Sequence, residues 1–193
     1  LTAPSRWENR NVTASGRKRG RTWFAAVLAA FGWVAASEGR AAQQAAAGQL
    51  LVASRSITGS GFAESVVLLT SYGSQGAAGL VINRPASVPV ARVLEGLDAA
   101  NGRDEPVFLG GPVGRTGVMA LWRTKSAVEG TTEVAAEVRL VSTRAALEKA
   151  LAGGASSADF RVYLGYAGWA AGQLEREIAA GYWRMIPATA GLV

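Results

Sequence analysis

The sequence predicts a single compact α+β domain, in which strands joined as hairpins form a mostly antiparallel sheet covered by about three helices. Short β-rich runs follow one another directly, with glycine-containing turns between them. Only three stretches have the periodicity of an amphipathic helix, and they are scattered along the chain. Strands and helices therefore do not alternate as they do in a repeat of βαβ units. A length of 193 residues suits one domain with an appendage.

One central hairpin is predicted to dominate the first half of the domain. A short strand at residues 50–53 opens the domain. Residues 65–72 and 78–83 are apolar on both faces and flank a Gly-Ser-Gln-Gly turn, which predicts a buried hairpin closed by Pro85. Residues 90–97 follow with apolar side chains at positions i, i+3, i+4 and i+7, so a short helix is expected to cover the sheet.

The middle of the chain adds three strands and one capped helix. The strands are predicted at residues 106–109, 117–123 and 134–141. The Gly110-Gly111-Pro112 sequence is expected to bend the chain sharply after the first of them. Ser142 or Thr143 can cap a helix that runs to Leu151, and two glycines end that helix.

The C-terminal part of the chain combines a strand, a helix and a second strand. Residues 161–166 alternate and are rich in β-formers, which predicts the first strand. Gly165 and Gly168 are then expected to turn the backbone tightly. Residues 170–180 are predicted to be helical, and residues 182–186 begin the second strand. This unit cannot bury its own apolar face, so it must pack on the rest of the domain.

The positive charge lies in the first 40 residues and not in the domain. Residues 1–40 contain seven basic and two acidic side chains, whereas the rest of the chain contains 13 basic and 12 acidic ones. Affinity for nucleic acid comes mainly from cations that neutralise phosphates. The domain therefore gives no strong signal for nucleic-acid binding.

Residues 1–47 are predicted to form a leader and a linker ahead of the domain at residues 48–193. A basic segment precedes the uncharged apolar run at residues 23–36, and this order is typical of a secretory signal peptide. The run is shorter than the roughly 20 residues that span a bilayer. The first interpretation is export to the periplasm, with the leader engaging the membrane or the export machinery. An uncleaved membrane anchor is the second, and a misassigned start with a cytoplasmic domain is the third.

Cysteine and histidine are absent from the sequence, which excludes several kinds of site. Disulfides, Ser-His or Cys-His nucleophile pairs and the usual zinc sites all need those residues. The Gly59-Ser60-Gly61 sequence lacks the third glycine and the following helix of a dinucleotide-binding fingerprint. Glu175 and Glu177 lie two positions apart on a predicted helix, so they point away from each other and are expected to be solvated. The sequence thus predicts no catalytic residue, no metal ligand and no cofactor, while a magnesium site or a Ser-Lys dyad assembled from distant residues stays open.

Two side chains have both a structural and a binding interpretation. Trp169 is expected to be a core anchor, whose replacement by alanine would cost about 3–5 kcal/mol of stability. A partner-binding hot spot is its alternative role. Arg84 directly follows a buried strand and is expected to tie down a carboxylate, with anion binding as the alternative.

Four sequence blocks stand out in a fixed order. They are G-x-L-L-V-A at residues 48–53, G-L-V-I-N-R-P at 79–85, V-F-L-G-G-P-V at 107–113 and L-G-Y-A-G-W-x-x-G-Q-L-E-x-E at 164–177. Together they resemble the AlgH/YqgE family of bacterial proteins, over residues 48–188. The resemblance implies a strongly bent sheet and brings no catalytic residues. It also implies a label as a transcriptional regulator, which the family carries through a genetic association with alginate production.

This chain departs from the family pattern in two places. Thr70-Ser71-Tyr72 stands where family members commonly have an acidic residue and a histidine. Family members also usually begin close to the first strand, without a leader of the kind seen at residues 1–47. The first departure weakens any shared chemistry in that hairpin, and the second speaks against a cytoplasmic regulatory role.

The motif positions and the lack of a usable nucleophile or base lead to a functional hypothesis. The expected function is that of a non-enzymatic regulatory or interaction domain with an unidentified protein partner. The expected interaction surface consists of turn and aromatic residues, namely Asn83, Arg84, Gly110, Gly111, Pro112, Tyr166, Trp169 and Gln173. The alternative is a small-ligand-binding protein or an enzyme that uses carboxylate and arginine groups. A DNA-binding regulator is the less favoured third hypothesis.

Overall fold

The computed structural model describes residues 44–58, 61–189 and 191, and this part of the chain is built on one curled sheet. Its strands are β1 (Gln49–Ala53), β2 (Val66–Gly73), β3 (Gly76–Val81), β4 (Pro85–Pro89), β5 (Pro106–Leu109), β6 (Val113–Arg123), β7 (Thr131–Ala135), β8 (Val138–Val141), β9 (Phe160–Ala170) and β10 (Trp183–Pro187). Its helices are α1 (Val90–Val93), α2 (Arg144–Ala152) and α3 (Gln173–Ala179), with a 3-10 turn at Asp98–Ala100. The predicted α+β domain is confirmed. The predicted leader lies, up to residue 43, outside the described residues.

Strand β9 is the centre of the sheet. The first half of β9 lies between β5, to which it runs parallel, and β6, to which it runs antiparallel. The second half pairs with β3. From β9 the sheet continues through β3, β2, β1 and β10 on one side and through β6, β8 and β7 on the other, while β4 pairs with β5. The pair of β5 and β9 is parallel and the other recorded pairs are antiparallel, so the sheet is mostly antiparallel as predicted.

The sheet curls into a half-barrel that encloses an apolar interior. The chain before β1 approaches β7 so closely that a Cβ atom on Gly48 would lie 2.5 Å from the carbonyl oxygen of Val134. The interior is filled by buried side chains from both arms of the sheet, namely Leu50, Leu68, Leu80, Leu121, Val134, Val138 and Tyr163. The strong bend implied by the family resemblance is therefore present.

The helices cover the outer faces of the two arms. Leu147 and Leu151 of α2 belong to the same buried apolar cluster as Phe160 and Val162 of β9. It begins as predicted, because the Thr143 hydroxyl accepts a 3.2 Å hydrogen bond from the Ala146 amide. Helix α3 covers the other arm through the buried side chain of Leu174. No helix among the described residues is long and apolar enough to cross a membrane.

The prediction of a tight turn at Gly165 and Gly168 is wrong, because β9 continues through both residues to Ala170. Gly165 has a φ of +69° and lies opposite the irregularity of β6 between Val113 and Val118. It is glycine for a steric reason, since an added Cβ atom would lie 2.7 Å from the carbonyl oxygens of Gly111 and Val113. The following helix is therefore shorter than predicted and begins only after Gly172.

Three other expectations need correction. Residues 134–141 form parts of two strands, because the chain reverses at Ala136 and Glu137, where Glu137 adopts a φ of +62°. Pro85 is the first residue of β4 and does not close a hairpin. Proline is tolerated there because the first residue of an edge strand need not donate a hydrogen bond to a neighbouring strand. The helix expected at residues 90–97 stops after one turn, and Gly96 follows it with a φ of +82°.

Candidate functional site

The glycines of the Gly-Gly-Pro bend are packing residues. A Cβ atom on Gly110 would lie 2.3 Å from the carbonyl oxygen of Gly165, and one on Gly111 would lie 2.2 Å from the carbonyl carbon of Tyr166. Larger side chains at either position would push the bend away from β9. The Gly110 carbonyl accepts a 2.9 Å hydrogen bond from the Val81 amide, which joins the bend to β3 as well. The bend is thus held rigidly at the point where three strands meet.

Asn83 and Arg84 fasten the loop before β2 to the sheet. The Asn83 amide oxygen accepts a 3.0 Å hydrogen bond from the Val66 amide, and its nitrogen donates 2.8 Å to the Glu64 carbonyl. The Arg84 guanidinium donates to the Gly61 carbonyl and, at 2.7 Å, to the Ala63 carbonyl. Arg84 therefore has the structural role expected of it, but its partners are backbone carbonyls and not a carboxylate.

An exposed surface with apolar and cationic side chains surrounds the bend. We call it the bend surface, and it consists of Arg84, Leu109, Gly111, Pro112, Val113, Arg115 and Tyr166. Leu109 and Val113 keep 39% and 40% of their area exposed, which is high for large apolar side chains. A cavity of about 200 Å³ lies between Arg84, Leu109 and Arg115. A wider groove of about 420 Å³ runs along Val113 and Tyr166.

The remaining predicted site residues form a separate cluster around Glu177. The two indole nitrogens of Trp169 and Trp183 donate hydrogen bonds of 2.9 and 2.8 Å to Glu177 Oε2. The amide nitrogen of Gln173 donates 2.9 Å to Glu177 Oε1. Gln173 also accepts a 3.1 Å hydrogen bond from the Ala170 amide, at the start of α3. We call these four side chains the Glu177 cluster.

Aromatic rings enclose the Glu177 cluster. The Trp169 and Trp183 rings meet edge to face at a centroid distance of 5.9 Å. Phe62 stacks on Trp169 at 6.3 Å and meets Trp183 edge-on at 5.8 Å. Beside these rings lies an open cavity of about 320 Å³, lined by Ser56, Ile57, Thr58, Phe62, Glu177, Tyr182 and Trp183. Trp169 itself is buried and lies in the core, as expected from the sequence.

The expectation that Glu177 is a solvated surface residue is wrong. Burial raises the pKa of this carboxyl, but the hydrogen bonds from Trp183, Gln173 and Trp169 outweigh that effect and the pKa is lowered overall. The carboxylate is therefore ionised at neutral pH although it is half-buried. The sequence contains a signal for this burial. Glu177 lies three residues after Leu174, which is buried, so it borders the buried face of the helix.

The second glutamate of this helix makes a different contact. The Tyr72 hydroxyl donates a 2.6 Å hydrogen bond to Glu175 Oε1 and joins the tip of the β2–β3 hairpin to α3. This hydrogen bond is the main reason why the pKa of Tyr72 is raised and that of Glu175 is lowered. Tyr72 belongs to the Thr-Ser-Tyr sequence that departs from the family pattern, so the departure has a structural use.

The structure divides the predicted interaction surface into two groups. Arg84, Gly111, Pro112 and Tyr166 lie on the bend surface, with Gly110 buried beneath it and Asn83 beside it. Trp169 and Gln173 belong to the Glu177 cluster. Leu109, Val113 and Arg115 of the bend surface and Glu177, Tyr182 and Phe62 around the cavity were not predicted as site residues. No group of three or more Asp or Glu side chains among the described residues is arranged to hold a metal ion.

Comparisons with known proteins identify the family. A UPF0301 protein of Anaeromyxobacter dehalogenans is 39% identical over 153 residues, which cover 74% of this chain and 77% of the relative. A UPF0301 protein of Chlorobium luteolum is 34% identical over 77% of both chains.

Two solved structures share the fold. A Corynebacterium diphtheriae protein, 27% identical, matches with a TM-score of 0.67 over 78% of this chain and 80% of its own. The AlgH protein from Pseudomonas aeruginosa, 33% identical, matches with a TM-score of 0.60 over 73% of this chain and 76% of its own. The family model described as AlgH-like matches residues 50–193, and the chain therefore belongs to the AlgH-like family.

Proposed function

We propose that this domain is a non-enzymatic protein-interaction module, with a regulatory role exerted through its partner, and that the bend surface is the contact site. The observation that carries the proposal is the exposure of Leu109, Pro112 and Val113 at one bend. Contiguous exposed apolar side chains with polar neighbours are typical of interaction sites.

The two cations of the bend surface define the chemistry of the partner. Arg84 and Arg115 line the same cavity as Leu109, so an apolar side chain that enters it would be flanked by positive charge. Acidic groups beside that side chain would complement the two guanidinium groups and favour association. We therefore expect the partner to present an apolar residue next to aspartate or glutamate.

The size of this cavity favours a side chain over a free ligand. At about 200 Å³ it is smaller than the roughly 300–1,000 Å³ of typical small-molecule sites. Its walls are also preorganised, because Gly110 and Gly111 fix the bend against β9 through backbone contacts. A preorganised surface loses less conformational entropy on binding, which favours affinity.

Paired substitutions on the full chain test this proposal. Val113→Glu places a negative charge on the bend surface, and Ile186→Glu places one on β10, where Ile186 is 37% exposed. Both variants change an exposed apolar residue of a strand, so their effects on folding are matched. We expect proteins that co-purify with the wild type and with Ile186→Glu to be lost with Val113→Glu. Equal recovery with both variants, at matched thermal stability, would contradict the assignment of the surface.

A second candidate function, small-ligand binding, is favoured by the cavity beside Glu177. Its volume of about 320 Å³ falls in the range of small-molecule sites.

A DNA-binding regulator stays the less favoured hypothesis, because the excess of basic side chains lies in residues 1–40. No observation favours an enzymatic use of the carboxylate and arginine groups over binding alone.

A further inference from the structure

The cavity beside Glu177 combines a fixed negative charge with aromatic walls. Three aromatic residues, Phe62, Tyr182 and Trp183, line it together with Glu177. Aromatic faces attract cations through the ring quadrupole, and cages of such rings are a recurring site for ammonium groups. This set of groups differs from that of the bend surface, which presents cations and would repel a cationic ligand.

The carboxylate keeps acceptor capacity for a ligand. A carboxylate has about four acceptor positions, and three of those of Glu177 are taken by Trp169, Trp183 and Gln173. These three donors are neutral groups, and Arg176 helps to lower the pKa of Glu177 without forming an ion pair with it among the described residues. A cation in the cavity would therefore be attracted by the charge of the carboxylate.

The polar side of the cavity also suits a cation. Ser56 and Thr58 are among its lining residues, and the partial negative charge on a hydroxyl oxygen favours a cation nearby. Ile57 adds an apolar contact for the carbon skeleton of a ligand. The lining therefore offers acceptors, rings and one charge, but no cationic group that would bind an anion.

We propose that this cavity binds a small organic cation through its quaternary ammonium headgroup, with Glu177 as the counter-ion and Tyr182, Phe62 and Trp183 as the aromatic walls. The same headgroup occurs in soluble amines and on lipids. The inference rests on the second candidate function, small-ligand binding, and not on the bend-surface function. The two sites share no lining residue, although Trp169, which donates to Glu177, also lines the groove along Val113 and Tyr166.

Choline and its uncharged carbon isostere, 3,3-dimethylbutan-1-ol, are the probes that test the charge requirement. The indole N–H signals of the ¹⁵N-labelled full chain report binding, since Trp169 and Trp183 both contact Glu177. We expect saturable shifts with choline and an affinity at least about threefold weaker for the alcohol. Equal shifts with both probes, or no saturable shift with choline, would overturn the proposal.

A wall substitution with a matched control tests the location. Tyr182 is 44% exposed, so Tyr182→Leu should fold while it removes an aromatic face of the cavity. Tyr72→Leu is the control, because Tyr72 is 38% exposed and contacts Glu175 of the same helix but does not line the cavity. We expect Tyr182→Leu to weaken choline binding about three- to tenfold and Tyr72→Leu to leave it unchanged. The same affinity in both variants and the wild type would count against this site.

Vesicles identify the source of the headgroup. If the full chain sediments with phosphatidylcholine vesicles, and Tyr182→Leu reduces the sedimented fraction, the headgroup is that of a lipid. If free choline binds and Tyr182→Leu does not change sedimentation, the ligand is a soluble amine. The chain could also sediment with phosphatidylcholine while its indole signals respond neither to free choline nor to the vesicles. That result would contradict the cavity as the binding site.

Discussion

The side chain of Glu177 shows how a single residue can organise part of the domain. Two indoles from different strands and one amide from α3 donate to the same carboxylate. Hydrogen bonds to a charged group contribute more to stability than those between neutral groups. The carboxylate therefore joins β9, α3 and β10 at a point where three aromatic rings also meet.

Replacing the carboxylate by its isosteric amide tests this role. Glu177→Gln can still accept hydrogen bonds from the indoles, but its NH₂ group would face the NH₂ group of Gln173. We therefore expect the free energy of unfolding to fall by about 1–3 kcal/mol at neutral pH. Glu148→Gln is the control, because Glu148 forms an exposed pair with Arg144 on α2 and such pairs contribute little. Urea unfolding measures both losses, and a loss for Glu177→Gln no larger than the control's would contradict the role.

The same variant should change the acid dependence of stability. Because the folded pKa of Glu177 is lowered, its contribution is present above the ordinary glutamate pKa and is lost as the pH falls through the folded value. We expect the free energy of unfolding of Glu177→Gln to fall less steeply than that of the wild type over this acidic range. Parallel acid profiles for the two proteins would show that Glu177 has no such linkage.

For Tyr163 we predict the opposite pH dependence, a loss of stability in alkaline solution. Its side chain is fully buried in the half-barrel, and burial raises its pKa from 10.0 to about 12, although Arg161 opposes the shift. The unfolded chain therefore ionises first, so stability is retained below about pH 10 and is lost as the pH rises toward 12. We expect Tyr163→Phe to reduce this alkaline loss in unfolding experiments. An unchanged alkaline profile would argue against Tyr163 as its source.

Among the structural elements, β9 depends most on backbone geometry. Gly165 has a φ of +69° and lies against two carbonyl oxygens of the neighbouring bend. Gly73, at the end of β2, has no atom within 4 Å of the position of an added Cβ. The two glycines thus provide a crowded site and an open one in the same sheet.

Alanine substitutions at these positions should differ strongly. We expect Gly165→Ala to lower the free energy of unfolding by at least about 2 kcal/mol, because alanine disfavours a positive φ and its Cβ atom would displace the bend. We expect Gly73→Ala to stay within about 1 kcal/mol of the wild type. Chemical denaturation of both variants measures the difference. Similar losses would show that the approach of the bend to β9 is not a constraint.

The elements that were predicted correctly have local signals. Thr143 is a capping residue placed directly before an amphipathic run, and the β2–β3 hairpin has glycines at both ends of its turn. The chain reversal at Ala136 and Glu137 has no glycine, asparagine or proline, so its two strands were predicted as one. The glycine of β9 was predicted as a turn, because sequence alone does not show that Gly165 is required by contacts with a distant bend.

For the whole molecule, sequence located the segments of the candidate site but not its exposed side chains. Arg84 and Pro112 were predicted because they belong to family-like motifs, whereas Leu109 and Val113 look like ordinary strand residues in the sequence. Their exposure is seen only in the folded structure, where they stand on either side of the Gly-Gly-Pro bend. The cavity beside Glu177 also brings together residues 56–58, 62 and 177–183, whose proximity depends on the pairing of β1 with β10.

Site-specific photo-crosslinking from the bend surface tests the central claim most directly. A benzophenone side chain at Leu109, in the full chain in its native cells, is compared with one at Ile186, which has a similar exposure on β10. We predict a discrete adduct with a different protein from position 109, absent from position 186 and reduced by Arg115→Glu. Adducts common to both positions, or none from position 109, would contradict the proposal that the bend surface binds a partner.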